Sequence, residues 1–173
     1  MNNRNSFVSR LLPLAICAAF VGLGQSAFAQ ASATANASAT IVPAITISKT
    51  ADLQFGLIVA GPGGTVLIGT DSSRSVNGPA GLTNASFPVS AASFTVSGQA
   101  NLAFSISLPT SATLTGPSSA SMTVNAFSSN PSGSGTIGSG GTLAFAVGGT
   151  LTVGAAQTPG AYTGTFTVTV NYQ

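Results

Sequence analysis

The last fourteen residues of the chain, GAYTGTFTVTVNYQ, alternate strictly between two kinds of side chain. One set of positions carries Tyr, Gly, Phe and Val, and the positions between them carry Thr and Asn. A period of two is typical of a strand with one buried and one solvated face, and β-branched and aromatic residues suit that environment. We therefore predict a C-terminal pairing strand, open to pairing with another chain, whose buried-face residues are Gly160, Tyr162, Gly164, Phe166, Val168, Val170 and Tyr172.

The N-terminus has the pattern of a secretory signal peptide. Arg4 and Arg10 give it a basic start, and an apolar run from Leu11 to Leu23 follows. The tripeptide Ala27-Phe28-Ala29 has the small-x-small pattern that signal peptidase cleaves. A membrane anchor is the alternative, but the apolar run is shorter than the roughly 20 residues that span a bilayer. We predict a signal peptide over residues 1–29, export through the inner membrane, transit through the periplasm and a final location at the cell surface.

Charge is almost absent from the chain that would remain after cleavage. Only 3% of all residues are charged, whereas about 25% is usual. Beyond residue 29 the charged side chains are Lys49, Asp52, Asp71 and Arg74, and their formal charges cancel. A net charge near zero favours association. The single cysteine, Cys17, lies in the signal, so no disulfide can form in the mature region.

The region from residue 44 to residue 173 has the pattern of a single all-β domain. Short alternating segments are separated by Gly, Pro and Ser, which is typical of a sandwich or a barrel. We predict a hairpin at Gly98–Asn101, another at Gly148-Gly149, where two glycines suit a tight turn, and an exposed loop over Asn130–Gly141. The predicted fold class is an antiparallel β-sandwich.

Residues 30–43 form a candidate N-terminal extension. Small apolar residues alternate there with Ser, Thr and Asn. One interpretation is a flexible leader, since mature N-termini are often disordered. The other is a donor strand that adds to a neighbouring subunit, with these residues facing its groove: Ala33, Ala35, Ala37, Ala39 and Ile41. The small side chains suggest that this groove is narrow.

Enzymatic chemistry has little support in the composition. The chain has no His, and the mature region has no Cys nucleophile. Asp52 and Asp71 are the only carboxylate side chains, and both fall in predicted turns. We predict no catalytic residues, no cofactor, no small-molecule cofactor site and no transition-metal site, and leave open calcium bound through carbonyls and both Asp. Two mature basic residues are too few for nucleic-acid binding.

The C-terminal pattern resembles that of chaperone–usher pilins, which end in an alternating strand with a penultimate Tyr and a Gly fourteenth from the end. Tyr172 and Gly160 occupy those positions. The stretches ITISKTADLQFG, FTVSGQANLAFSISLP and PGAYTGTFTVTVNY are similar to a family of secreted bacterial β-domains of unknown function, the 4402 type, and spore-coat-U-like subunits share the outline. The pilin resemblance implies an incomplete immunoglobulin-like sandwich, a periplasmic chaperone and an outer-membrane usher. The absence of an early disulfide departs from many pilins.

These observations together predict a structural subunit of a bacterial surface filament. The resemblance implies non-covalent polymerisation by donor-strand exchange, with further copies of this chain or other pilin-like subunits as partners. Two alternatives are a self-contained secreted sandwich that binds a carbohydrate or a surface partner, and a subunit of a non-fimbrial coat. The carbohydrate alternative lacks the usual aromatic platform, because the chain has no Trp and both of its tyrosines are assigned to the buried face.

Overall fold

The computed structural model describes residues 30–59, 61–82 and 87–173. The predicted signal peptide lies outside the described residues. The chain divides into a unit that ends at Ala39 and a compact unit over Thr40–Gln173. Residues 30–45 have no regular secondary structure, and Ile41 is 96% exposed.

The compact unit is built of β-strands, as the alternating patterns predict. The strands of its first half are β1 (Thr46–Ala51), β2 (Gln54–Phe55), β3 (Ile58–Val59), β4 (Gly64–Ile68), β5 (Arg74–Asn77), β6 (Gly81–Leu82) and β7 (Val89–Ser90). Those of its second half are β8 (Ala92–Ser97), β9 (Ala103–Ser107), β10 (Ser111–Thr115), β11 (Ser121–Asn130), β12 (Ser134–Thr136), β13 (Thr142–Val153) and β14 (Thr169–Tyr172). A single 3-10 turn, Pro117–Ser119, interrupts them in the described part of the chain.

The larger sheet is organised around the long strand β13. Its strand order is β1-β8-β13-β11-β10. The first half of β13 pairs with β8, its second half pairs with β4, and β5 extends the sheet beyond β4. Every one of these pairings is antiparallel. The sheet therefore divides into two branches on one side of β13.

A second sheet, with the order β12-β9-β14, covers part of the first. Side chains from both sheets meet in the first core cluster, which contains Ala92, Phe94, Val96, Phe104, Ile106, Ile137, Phe145, Val147 and Val170. Alternation places the strand residues among them inward, because every second residue of a strand faces the same side, and Ile137 joins them from just beyond β12. This two-layer packing confirms the predicted all-β sandwich architecture.

The second core cluster lies on the β4 branch of the larger sheet. It contains Phe55, Val66, Ile68, Ala91, Val124, Leu151 and Val153. The nearby second-layer ladders are very short, since β2 pairs with β7 and β3 pairs with β6 over only two residues each. No longer ladder covers this cluster within the described residues.

Three details of the predicted connections are wrong. Gly98–Asn101 makes no hairpin, because β8 and β9 belong to different sheets. Gly148-Gly149 makes no turn, because β13 runs straight through it. Gly148 instead permits close approach, since a Cβ there would lie 2.3 Å from the Ile68 carbonyl oxygen. The predicted loop Asn130–Gly141 contains β12 and the fully buried Ile137, which contacts the core despite its Ser/Gly-rich surroundings.

Candidate functional site: an apolar groove beside the second core cluster

An apolar groove of about 1090 Å³ opens beside the second core cluster. Its first wall is the segment from residue 52 to residue 59, and its second wall is the segment from residue 157 to residue 166. Its floor is the inner face of the larger sheet, from which these side chains contribute: Ala92, Phe94, Ala112, Leu114, Met122, Val124, Phe127, Leu151 and Val153. The floor combines buried core side chains with the partly buried Leu114, Met122 and Phe127, and the groove lies open between two irregular segments.

The first wall is held by a side chain as well as by its short ladders. Gly56, between β2 and β3, has a φ of +73°, which is a conformation that glycine adopts readily. The Arg74 side chain on β5 donates from Nη1 to the carbonyl oxygen of Phe55 at 3.1 Å and to that of Leu57 at 3.3 Å. The guanidinium therefore spans the turn at Gly56.

The second wall is fastened by the first tyrosine of the C-terminal pattern. The Tyr162 hydroxyl accepts a hydrogen bond from Gln157 Nε2 and donates one to the Thr158 carbonyl oxygen, both at 2.8 Å. Its ring lies over Gly116, where a Cβ would be 2.5 Å from the ring. Gly160 has a φ of +147° and touches Pro117, because a Cβ there would lie 2.3 Å from the Pro117 Cγ. Both glycines are therefore sites of close approach.

The C-terminal segment crosses from one sheet to the other. Thr163 and Thr115 exchange two backbone hydrogen bonds of 2.8 and 3.0 Å at the edge of the larger sheet. Thr169–Tyr172 then pairs with β9 in the smaller sheet. The described residues between them, 164–168, form no ladder. The segment predicted as one strand therefore begins as an extended wall of the groove and becomes strand β14 only at its end.

Exposure alternates along this segment. The Thr side chains and Asn171 are exposed, whereas Tyr162, Phe166, Val168 and Tyr172 are half-buried and Val170 is buried. The Phe166 ring lies 4.8 Å from that of Phe127 and 6.3 Å from that of Phe94, measured between centroids. Gly164 is exposed but fits closely against β10, since a Cβ there would lie 2.2 Å from the Thr113 carbonyl oxygen.

The penultimate residue joins three parts of the compact unit. The Tyr172 hydroxyl accepts a hydrogen bond from the Gln99 backbone N–H at 2.7 Å and donates one to the Pro43 carbonyl oxygen at 3.1 Å. A Cβ on Gly98 would collide with this hydroxyl. Tyr172 thus fixes the C-terminal strand to the connection between the two sheets and to the start of the domain.

Charge is confined to the rim and the outer side of the groove. Lys49 and Asp52 form an ion pair at the rim, with side chains that are 57% and 61% exposed. Asp71 accepts hydrogen bonds from the Ser73 hydroxyl and backbone N–H, and these bonds hold the pKa of its carboxyl below the ordinary value. Within the described ranges there is no group of three or more His, Cys, Asp or Glu residues that could hold a metal ion.

The residues predicted to form a donor strand are placed as follows. Ala33, Ala35, Ala37 and Ala39 are exposed and have no regular secondary structure. Ile41 is exposed and does not line the groove.

No helix in the described part of the chain is both long enough and apolar enough to cross a membrane.

Two features of the site were missed by the sequence reasoning. The role of Arg74 was not predicted, because residues 71–81 have the polar composition of a loop, whereas the structure shows that this stretch contains β5. The wall from residue 157 to residue 166 was also missed, since the alternating C-terminal pattern was interpreted as one pairing strand. No local signal in either segment indicates the contact between Arg74 and the backbone around Gly56.

Comparisons with known proteins identify a family and nothing more specific. A family model described as a domain of unknown function (DUF4402) matches residues 45–172. The chain therefore belongs to this family. No curated protein and no solved structure matches it.

Proposed function

We propose that this DUF4402 domain is a structural subunit of a bacterial surface filament, in which the groove receives a β-strand from a neighbouring copy of the chain. The observation that carries the proposal is the groove itself. An open groove with a mostly apolar lining lies between two segments that form little or no ladder. An inserted strand would cover that surface and pair with the backbone along its edge.

The volume of the groove suits a single strand. With a rise of about 3.3 Å, a strand spacing of about 4.8 Å and a layer spacing of about 10 Å, one residue of a packed strand takes about 160 Å³. A volume of about 1090 Å³ therefore accommodates about seven residues at that spacing. This length is within the row from Ala33 to Ile41.

The N-terminal extension supplies a suitable occupant. It is uncharged from residue 30 to residue 45 and alternates small apolar with polar residues. Its exposed state leaves it available for another molecule. Alanine methyl groups alone would underfill a groove lined by Phe and Leu, and unfilled volume is costly. We therefore expect the two walls to close on the strand, with Ile41 as its largest anchor.

Assembly of this kind requires export and protection of the groove. In the proposed pathway the signal peptide directs the chain to the periplasm, a chaperone covers the apolar groove, and an usher at the outer membrane releases the subunit to its neighbour. The near absence of charge in the mature chain is compatible with a surface polymer, since it removes the repulsion that keeps free proteins apart.

Deletion of residues 30–40 tests the proposal. Backbone bonds of about 1 kcal/mol net each and apolar burial at about 25 cal/mol per Å² are lost together, so the inserted strand should dissociate slowly. On gels, the intact chain should run as a series of oligomer bands, here called SDS ladders, that resist SDS at room temperature and are converted to monomer by boiling. The deletion variant should give folded monomer. Persistent ladders from the deletion variant would falsify the donor-strand proposal.

A matched pair of substitutions separates the two faces of the extension. Ala37→Asp places a charge in the apolar groove and should abolish the ladders. Ser38→Asp adds the same charge on the opposite face and should leave most of them intact. If both changes have the same effect, the extension does not insert with a defined face.

A further inference from the structure

Arg74 makes its contacts directly behind the first wall of the groove. It lies on the edge strand β5 and is half-buried. Its Nη1 donates to two carbonyl oxygens, those of Phe55 and Leu57, on either side of Gly56. Phe55 is 9% exposed, and both Phe55 and Leu57 line the groove. A shift of either carbonyl would therefore move the lining of the groove.

The backbone at Gly56 is matched to this side chain. A Cβ on Gly56 would lie 2.5 Å from Arg74 Nη1 and 2.7 Å from Val89 Cγ2. The φ of +73° at the same residue is a conformation that other residues rarely adopt. The guanidinium can therefore reach both carbonyls only because residue 56 has no side chain. The two residues form one local arrangement despite their separation in sequence.

We infer that Arg74 is a positioning residue that holds the first wall at the separation an incoming strand requires, an inference that rests on the proposed function. The ladders of this wall extend over only two residues each, so they fix it weakly. Hydrogen bonds from a charged donor are stronger than neutral ones. The planar guanidinium also keeps its geometry better than the flexible ammonium of lysine.

The test uses the mature chain with Arg74→Gln and Arg74→Lys. Ser75→Gln is the control for a substitution on the same strand, because Ser75 is exposed. Ile137→Val is the control for lost stability, because Ile137 is fully buried in the first core cluster and does not line the groove. Monomer melting temperatures are measured with Ala37→Asp present to prevent assembly, and ladder dissociation in SDS is measured without it.

We expect Arg74→Gln to speed ladder dissociation about tenfold, which corresponds to ~1.4 kcal/mol. Arg74→Lys should fall between it and the wild type. Ile137→Val should lower the monomer melting temperature yet leave ladder dissociation at the wild-type rate. In the assembly-blocked monomer, Arg74→Gln should also accelerate amide hydrogen exchange at residues 54–59 while exchange in β8 and β9 stays unchanged.

The outcomes distinguish this inference from the proposed function. If the wild type forms ladders, the 30–40 deletion removes them and Arg74→Gln dissociates at the wild-type rate, the role of Arg74 is wrong while strand donation stands. If Ile137→Val reproduces the faster ladder dissociation, or the loss of ladders, at an equal melting temperature, Arg74 serves stability alone. If the deletion variant keeps its ladders, both proposals fail. Should Arg74→Gln not fold, ladder dissociation and amide hydrogen exchange at residues 54–59 measured on Arg74→Lys decide the question.

Discussion

The first and second core clusters are built from the same kinds of residue but are covered differently. Between the larger sheet and the ladder β12-β9-β14, Phe104 and Ile137 have no exposed surface. The second cluster also has members with no exposed surface, Val66 and Ile68. The groove nevertheless opens beside it, lined by these partly buried neighbours: Leu53, Ile58, Leu114, Met122 and Phe127. The difference teaches that continuous strand pairing, rather than hydrophobicity, decides where this sandwich is closed.

Because of this difference, we expect the first core cluster to determine folding stability and the groove to determine assembly. The first core cluster can supply folding free energy without any partner, because both of its layers are present. The groove exposes apolar surface, and the free energy falls when a partner covers that surface and removes it from water. Under the proposed function, we expect the subunit to fold before it assembles and the groove to favour assembly.

The largest expected effect comes from comparing two phenylalanines. Phe104→Ala removes a fully buried ring and should cost about 3–5 kcal/mol, a large part of the roughly 5–15 kcal/mol that stabilises a domain. Phe166→Ala removes a half-buried ring that lines the groove and also packs against the first core cluster. It should cost the monomer less than Phe104→Ala does while strongly weakening the ladders. Urea unfolding of each variant in the Ala37→Asp background measures the free energy of unfolding of the monomer. Equal losses of monomer stability at both positions would contradict the division into closed and open halves.

Much of the closed half could be predicted from sequence, because its strands alternate cleanly. Phe94 and Val96 on β8 face inward, as do Phe104 and Ile106 on β9. The hairpin predicted between these two strands was wrong, because period-two alternation fixes which face of a strand is buried but does not fix its partner strand. Gly148-Gly149 has the composition of a turn, and only the close approach of Ile68 from β4 explains why the strand continues through it.

The open half was harder to predict because its geometry depends on contacts between distant segments. The Arg74–Gly56 arrangement joins two segments, and nothing local in either of them signals the other. The alternation from Tyr162 to Tyr172 correctly separates half-buried or buried side chains from exposed ones, apart from exposed Gly164. It could not indicate that residues 164–168 leave one sheet before β14 joins the next, because backbone pairing is not encoded in side-chain parity.

Gly164 in the second wall tests whether close backbone contact holds this wall against β10. Gly164→Ala places a Cβ 2.2 Å from the Thr113 carbonyl oxygen, so the wall must move away from β10. We expect a loss of about 1–3 kcal/mol, as for other overpacked sites, together with weaker ladders. Gly140→Ala is the control, because nothing lies within 4 Å of its added methyl group, and it should change stability by less than about 0.5 kcal/mol. A neutral Gly164→Ala, measured by urea unfolding, would mean that the wall is not held against β10.

The two tyrosines of the C-terminal segment give a smaller and more local contrast. Tyr172→Phe leaves the Gln99 N–H and the Pro43 carbonyl without this partner and should lower global stability by about 1–3 kcal/mol. Tyr162→Phe affects only contacts within the second wall, so we expect under ~1 kcal/mol in global unfolding. Hydrogen exchange should instead increase near Gln157. The contrast is broken if Tyr162→Phe lowers the melting temperature as much as Tyr172→Phe does.

The smallest expected effect is a pH dependence near β5. The hydrogen bonds from Ser73 hold the pKa of the Asp71 carboxyl below its ordinary value. A depressed folded-state pKa contributes stability that is fully present above the unfolded pKa of roughly 4 and is lost as the pH falls through the folded value. Melting temperatures measured from pH 5 downward should therefore show a slight acid loss that Asp71→Asn removes and Asp52→Asn retains. Ser73→Ala should move the carboxyl pKa, followed by NMR, back toward its ordinary value. Because Asp71 is fully exposed, solvent screening keeps the effect small, and the first core cluster should not respond. If the amide protection factors of β8 and β9 changed through the same pH range, the two halves would be more tightly coupled than their separate coverings suggest.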